Sequence, residues 1–512
     1  MTSSTQNMDS SRSNGNVFAL FEAAAASCLE RPFLVVDGQP LLTYSEMLCE
    51  TGRAASWLRS IGVRQGDRVV VQAYKSPVAV VLYLACLRAG AVFIPLNTAY
   101  QESELEYFLS DAEPALLVAS AGLPGGAVSF GGSRILISGD IQAAPWVDVD
   151  NAWPVVQTLS EDPAAILYTS GTTGRSKGAV LTHGNLSSNA IVLGQAWQWR
   201  DDDVLLHALP IFHAHGLFVA LHCALLHAST ILFHERFDAA AVIRDLQLST
   251  VFMGVPTFYT RLLAQPELDR SHCAHFRLFV SGSAPLLDAT FEEFERRTGH
   301  TILERYGMTE ALMVTSNPYD GPRLAGSVGR ELPGVKARVI GESGGPVPFG
   351  EPGALQIKGP NLFSGYWRNP EKTAEDHTDD GYFITGDIAT QDEAGFIRIV
   401  GREKDLIISG GYNVYPKEVE LAIDALEGVV ESAVVGVPHP DFGEGVVAVV
   451  AQSPGSAIQP EHIAAALRTA LAAFKRPKKI VIVDELPRNA MGKVQKVELR
   501  RLYDDLFITL PV

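Results

Sequence analysis

The stretch Y-T-S-G-T-T-G-R-S-K-G, Tyr168 to Gly178, decides how this chain is read. Three glycines and a run of hydroxyl side chains surround one lysine. An apolar run, Ala164-Ala-Ile-Leu167, precedes it, and a helix-like segment opens at Thr182. Strand, glycine- and hydroxyl-rich loop, then helix is an order in which backbone N–H groups and hydroxyls can wrap a phosphate chain. The loop is not a Walker A motif, which needs Gly directly before its Lys, because Ser176 precedes Lys177. A surface turn also concentrates Gly, Ser and Thr, so the loop needs support from the rest of the chain.

Working outward, 512 residues exceed a typical domain several times over, which predicts one large lobe and at least one smaller one. A composition 47% hydrophobic and 19% charged is that of a globular protein. The net charge of −17 argues against general nucleic-acid binding, which favours a basic face. Anionic substrates would have to be met by local cations. No apolar run approaches a membrane span, so no membrane insertion is expected. Residues 1–15 are Ser/Asn-rich and read as a disordered tail, too polar for a signal peptide. Cys28, Cys49, Cys86, Cys223 and Cys273 show no metal or redox spacing, and the expected location is cytoplasmic.

From Arg31 onward the pattern alternates. A hairpin centres on Asp37-Gly38, a helix follows Thr43, strands cover Arg68 to Gln72 and Ala91 to Pro95, and a helix starts at Ser76. Strands interleaved with helices predict a layered α/β architecture. Between about 340 and 400 the helical pattern gives way to short strands between Gly/Pro/Asp turns, a small β subdomain. After Lys404 come strands within Ala433 to Gln452, an amphipathic helix from Glu461 to Phe474 and a strand at Ile480 to Val483, an α+β lobe. Lys475 to Arg501 holds nine Lys/Arg against three Asp/Glu. Such a basic edge suits phosphates, or is a solvated face.

Four further segments follow the loop in order: Arg305-Tyr-Gly-Met-Thr-Glu310, Tyr382-Phe-Ile-Thr-Gly-Asp387, Gly401-Arg-Glu-Lys-Asp405 and Pro487-Arg-Asn-Ala-Met-Gly-Lys493. With the loop, these resemble the motifs of the adenylate-forming superfamily of acyl-CoA synthetases, luciferases and adenylation domains, and they span most of the chain. The resemblance implies an AMP-forming acid–thiol ligase. It places a large N-terminal lobe over 16–403 and a smaller mobile C-terminal lobe with a catalytic lysine over 404–512.

A carboxylate attacking the α-phosphate of ATP meets a polyanion, so the site must spread and neutralise negative charge. By resemblance, Thr169, Ser170, Gly171, Thr172, Thr173, Gly174 and Lys177 would hold the phosphates. Glu310 would help hold Mg²⁺, with Thr309 near the α-phosphate. Gly282, Ser283, Ala284 and Tyr306 would form the adenine wall, Asp387 would take the ribose hydroxyls, and Arg402 would add donors. Lys493 resembles the adenylation lysine, Lys404 the hinge, and Gly410-Gly411 the path for CoA. A lysine acetyltransferase acting on Lys493 is an expected regulatory partner, since acetylation removes the charge.

His213 and His215, in Pro210-Ile-Phe-His-Ala-His-Gly216, could mark a zinc site, but no Cys or carboxylate lies at ligand spacing. The segment instead resembles the family's acyl-pocket region. Arg261, in Val255-Pro-Thr-Phe-Tyr-Thr-Arg261, falls on a segment that lines that pocket in the superfamily. A buried arginine there suits a second carboxylate, aided by Ser281 and His215. Within the superfamily the chain looks most like the malonyl-CoA synthetases. That implies a dicarboxylic acid, ATP and CoA as small-molecule substrates. Ligases for methylmalonate, oxalate or an aromatic acid, and a non-catalytic adenylate-binding sensor, are the alternatives.

Overall fold

The computed structural model describes residues 14–150, 152–169, 176–410, 412–453, 455–456, 458–489 and 492–507. Two large sheets form the N-terminal part. One has nine strands, running from the edge Arg330–Glu331 through Leu312–Ser316, Ile302–Met308, Leu278–Ser281, Val251–Gly254, Val204–His207, Thr230–Phe233 and Pro32–Val36 to Gln39–Thr43. Its central strands are parallel. The other has seven strands and includes Arg68–Gln72, Val92–Pro95, Pro163–Thr169 and Lys177–Thr182.

Residues of both sheets share one core with helix Pro77–Ala89. That helix is apolar all round and every residue of it is buried, as expected for a helix between layers. Ser76 caps it, the side-chain oxygen accepting from the Ala79 N–H at 3.3 Å. Helix Tyr44–Ser60 starts with a full capping box between Thr43 and Glu46. The hairpin at Asp37-Gly38 joins Pro32–Val36 to Gln39–Thr43.

The phosphate-loop region departs from the expected strand, loop and helix. Lys177–Thr182 is a second strand, antiparallel to Pro163–Thr169, with Thr169 opposite Lys177. Ala179, Val180 and Leu181 are buried in the sheet, in a strand to which the sequence reading assigns no element. Helix His183–Ala196 begins only at the far end of this strand, capped by Thr182. Six strand residues span about 20 Å, so the helix N-terminus is too distant to act on phosphates at the loop.

The small β subdomain is a four-stranded antiparallel sheet of Lys336–Ile340, Gly353–Lys358, Phe383–Gln391 and Ile397–Arg402. One short helix, Pro370–Glu375, interrupts the expected all-β stretch. The C-terminal lobe is built on the hairpin Val429–His439 and Gly443–Gln452. Val446, Ala448 and Val450 face one core, while Val447, Val449 and Ala451 face another. This period of two with both faces buried explains the near-continuous apolar run. Among the described residues, neither core takes a side chain N-terminal to Ile407. The expected basic edge is partly consumed within the lobe: Lys475 pairs with Glu418, Arg488 with Glu431, Lys496 with Glu420 and Arg500 with Asp405.

The expected tail is shorter at its inner end. The Gly15 N–H donates to Thr158 O at 3.0 Å and Asn16 caps helix Val17–Ala25, while residues 1–13 lie outside the described residues. Among the described residues no helix is long and apolar enough to cross a membrane.

The N-terminal ends of neighbouring strands are tied by Asp203, which is 2% exposed. Its carboxylate accepts from Arg277 Nε at 2.6 Å, Thr250 Oγ1 at 2.8 Å and the Arg200 N–H at 2.8 Å. Arg277→Met leaves this buried carboxylate without its cation, and should cost the large lobe about 3–5 kcal/mol in urea unfolding. A loss below about 1 kcal/mol would mark the pair as no better than an exposed one.

Candidate active site

Strand ends bring the candidate residues together. Ser281 closes a parallel strand, and its neighbour Ile302–Met308 carries Arg305 and Tyr306. Thr309 and Glu310 follow in the turn. The crevice beyond the carboxyl ends of parallel strands is the usual ligand position in α/β sheets.

Asp387 is 3% exposed and lies directly across from Arg402 in the β subdomain. Arg402 Nε sits 2.6 Å from Asp387 Oδ1, and the Tyr306 hydroxyl donates to Oδ2 at 2.5 Å. Burial raises the Asp387 pKa, with Arg402 acting against it. Glu310 is also buried, and burial raises its pKa. The Tyr366 hydroxyl donates to Glu310 Oε1 at 3.2 Å and Thr169 Oγ1 lies 3.4 Å from the same oxygen. Lys177 Nζ stands 5.2 Å from the centre of the Tyr366 ring. Tyr366 therefore touches both residues assigned to the phosphate end, yet sequence reasoning passed over it.

Lys493 reaches this cleft from the other lobe. Desolvation lowers its pKa, as do Arg402 and Arg305, while Asp387 and Glu310 act in the opposite sense. Its side chain remains accessible to solvent, so it stands at the cleft mouth. Next to it, a Cβ built on Gly492 would lie 3.4 Å from Thr257 Oγ1, so the loop rests on the N-terminal part. His213 also feels Lys493, and burial pushes the imidazole down to about 3. A Cβ built on Gly410 would meet only Phe442, of the same lobe, within 4 Å among the described residues. Lys404 lies exposed in the turn Glu403–Asp405 between the β subdomain and the C-terminal lobe. Ser170, Gly171, Thr172, Thr173, Gly174 and Gly411 lie outside the described residues.

The floor of the cleft is polar and incompletely paired. Arg305 is 3% exposed, and its Nε and Nη2 have no partner among the described residues. Nor do Ser281 Oγ, His213 Nε2 or His215 Nε2. The guanidinium packs against Gly282, where a Cβ would come within 2.5 Å of it, so a side chain there would have to displace it. Ser283 has φ of +71° and its hydroxyl lies 3.3 Å from His215 Nδ1; Ala284 follows in the same loop. Among the described residues Glu304 makes no ion pair with Arg305, although its charge acts on the arginine in the favourable sense. It accepts from the Leu286 N–H at 3.1 Å, and burial pushes its pKa up to about 8. Burial pulls Arg305 down to about 9, which leaves it protonated at neutral pH.

Arg261 is a correction. It lies exposed in the last turn of helix Pro256–Leu263, whose buried residues include Tyr259 and Leu262. At helical spacing that inward stripe turns position 261 outward. The arginine buried in the cleft is Arg305. The sequence signal for it was a charged residue inside the apolar-flanked strand Ile302-Leu-Glu-Arg-Tyr306.

Among the described residues no three His, Cys, Asp or Glu side chains converge as a metal site. A cation at Glu310 would therefore need further ligands from a nucleotide. A buried carboxylate held by two hydroxyls is the oxygen donor that Mg²⁺ favours, so the residues present fit that ion.

The AMP-binding enzyme family matches residues 20–367, and the AMP-binding enzyme C-terminal domain matches residues 418–493. A feruloyl-CoA synthase of Amycolatopsis sp is 37% identical, over 92% of this chain and 95% of that protein. A malonate–CoA ligase of Arabidopsis thaliana is 34% identical, over 96% of this chain and 90% of that protein. The ATP-bound crystal structure of MatB from Rhodopseudomonas palustris is 48% identical with a TM-score of 0.93, covering 97% of this chain and all of that one. The apo crystal structure of MatB, at the same coverage, gives 0.82. With two lobes, the motif residues gathered in one cleft and these matches over nearly its whole length, the chain belongs to the AMP-binding enzyme family and is an AMP-forming acid–thiol ligase, a CoA ligase acting on ATP, an acid and CoA.

Proposed function

We propose that the acid is malonate and that Arg305 holds its distal carboxylate. The observation that carries this reading is the buried guanidinium with two nitrogens unpartnered among the described residues, near enough to His215 to act on its charge, whose Nε2 is likewise unpartnered. A pocket for an aromatic acid needs an apolar wall. A buried cation without a counter-ion suits a second carboxylate, which both pairs with it and accepts its N–H groups. Relatives named for ferulate and indoleacetate make an aromatic acid the competing reading.

In the first step, one malonate carboxylate oxygen attacks the α-phosphorus, the bond to the β-phosphate oxygen breaks, and pyrophosphate leaves. In the second, the CoA thiol loses its proton and attacks the acyl carbonyl, and AMP leaves with the electron pair of the broken C–O bond. Mg²⁺ at Glu310 would offset charge on the phosphates. Lys177 and Thr169, with Ser170, Gly171, Thr172, Thr173 and Gly174, would hold the phosphate chain, and Thr309 would sit near the α-phosphate. Asp387 and Arg402 would fix the ribose; Gly282, Ser283, Ala284 and Tyr306 would flank the adenine. Lys493, facing Asp387 and Glu310, would bridge the reacting carboxylate and the α-phosphate. The higher similarity to the ATP-bound neighbour than to the apo one supports reading this lobe position as the adenylating one. The lobes would divide at 403/404, with Lys404 as hinge, and rotation would bring Gly410 and Gly411 toward CoA.

Three variants test this reading. Arg305→Met should lower kcat/KM for malonate by roughly 30- to several-thousand-fold, the equivalent of about 2–5 kcal/mol for a charge left unpaired in a buried site. Butyrate, which has no distal charge, should be spared or improved; a parallel fall for both acids would overturn the assignment. Lys493→Ala should abolish pyrophosphate formation and leave thioester formation from supplied malonyl-AMP largely intact, and acetylation of Lys493 should do the same. Equal loss of both half-reactions would count against a lysine used in one orientation. Lys404→Pro fixes φ at the hinge and should slow thioester formation more than adenylation; unchanged rates for both would move the hinge elsewhere.

A further inference from the structure

Lys75 is a buried cation that the steps above do not use. It lies just ahead of the N-cap Ser76 of helix Pro77–Ala89 and is 9% exposed. That place is unfavourable twice over: the N-terminal end of a helix is already positive, and burying an ammonium without a carboxylate is costly. Among the described residues no carboxylate lies within ion-pair distance of it. The nearest acidic influence is Glu235, whose side chain is exposed.

The lysine is held by one residue. Lys75 Nζ is 2.8 Å from His207 Nδ1 and donates to His207 O at 2.8 Å, while the Phe233 ring centre lies 4.5 Å away. On its other side, His207 Nε2 is 2.9 Å from Gly216 O. A carbonyl can only accept, so Nε2 must carry the hydrogen. Burial, followed by Lys75, pushes the His207 pKa down to about 3, so the ring is neutral and Nδ1 is a bare acceptor. That acceptor needs a donor, and Lys75 is the group that supplies it. Charged or neutral, a lysine has at least two N–H bonds, enough for both His207 acceptors.

Gly216 is the residue after His215, and both belong to the π-helical turn His215–Ala220. Such turns occur mostly at functional sites and are less favourable than α-helix. Gly216 also packs so closely on Pro210 that a Cβ would lie 2.1 Å from its carbonyl oxygen. We propose that Lys75 is a positioning residue for the acid. By donating to Nδ1 it fixes His207 as the Nε2–H tautomer. That ring then clamps the Gly216 carbonyl and holds the turn that aims His215 Nε2 into the acyl pocket beside Arg305. The proposal rests on the acyl-pocket reading given above.

Two measurements test it. Ring-¹⁵N-labelled histidine, with His207→Gln for assignment, reports the His207 tautomer by NMR and needs no substrate. The expected result is Nε2–H in the wild type and a loss of that preference in Lys75→Met. An Nδ1–H ring or an imidazolium in the wild type would overturn the proposal, whichever acid the enzyme uses. In steady-state kinetics Lys75→Met should raise KM for malonate by roughly 10- to 100-fold, the scale of a small displacement of a positioning group, and leave KM for ATP within about twofold. An unchanged malonate KM, or equal effects on acid and ATP with a lower Tm, would reduce Lys75 to a structural role and overturn the proposal. Arg305→Met run alongside separates the cases. If that variant spares malonate, the role given to Arg305 is wrong, while the tautomer result still stands or falls by itself.

Discussion

A buried guanidinium with two nitrogens unpartnered among the described residues is the constraint around which the rest of the cleft is arranged. Arg305 has Glu304 beside it in sequence, but successive strand residues point to opposite faces; Glu304 Oε1 accepts from the Leu286 N–H, and burial pushes its pKa up to about 8. Gly282 packs on the guanidinium and His215 is near enough to feel its charge, and neither offers Arg305 a negative charge. A cation desolvated in this way costs free energy in the empty protein, and the cost is recovered when an anion enters. In a chain with a net charge of −17, a pocket of positive potential has to be made locally, and burial makes it local.

The same economy of position explains why the groups meet where they do. Ser281 and Arg305 come from adjacent parallel strands of the nine-stranded sheet, and His207 ends a third strand of it. Each side chain is carried by a rigid element whose neighbours are buried. The phosphate end is different: Thr169 and Lys177 face each other at the mouth of a hairpin from the second sheet. Tyr366, on the short strand paired with Lys177–Thr182, bridges the two by touching Glu310 with its hydroxyl and presenting its ring to Lys177.

Much of this was legible in the sequence, and the exceptions have a common cause. Asp387, Arg402, Glu310, Tyr306 and Lys493 sit in short motifs whose chemistry is local, so letters in order were enough to single them out. Arg261 and Arg305 are the same letter, and only tertiary structure separates them: one projects from the outer face of a helix, the other from a central strand. The helix opening at Thr182 was legible, but the strand Lys177–Thr182 before it was not, because its buried apolar run Ala179-Val-Leu181 is only three residues long. Lys75 could be seen only as an oddity between Tyr74 and Ser76. Its partner His207 is 132 positions away, and no spacing rule links them.

Asp387 connects the cleft to the motion between lobes. Its two oxygens already serve Arg402 and Tyr306, but a carboxylate has about four acceptor sites, so two remain for ribose hydroxyls without any existing bond breaking. Arg402 is the last residue of its strand and stands two positions before Lys404. A nucleotide held by Asp387 would therefore tighten the strand from which the small lobe departs. In the proposed reading, the ligand that must be present for the first step is the one that steadies the base of the rotating lobe. Loss of pyrophosphate alone would not release it, because the ribose contact survives until AMP leaves.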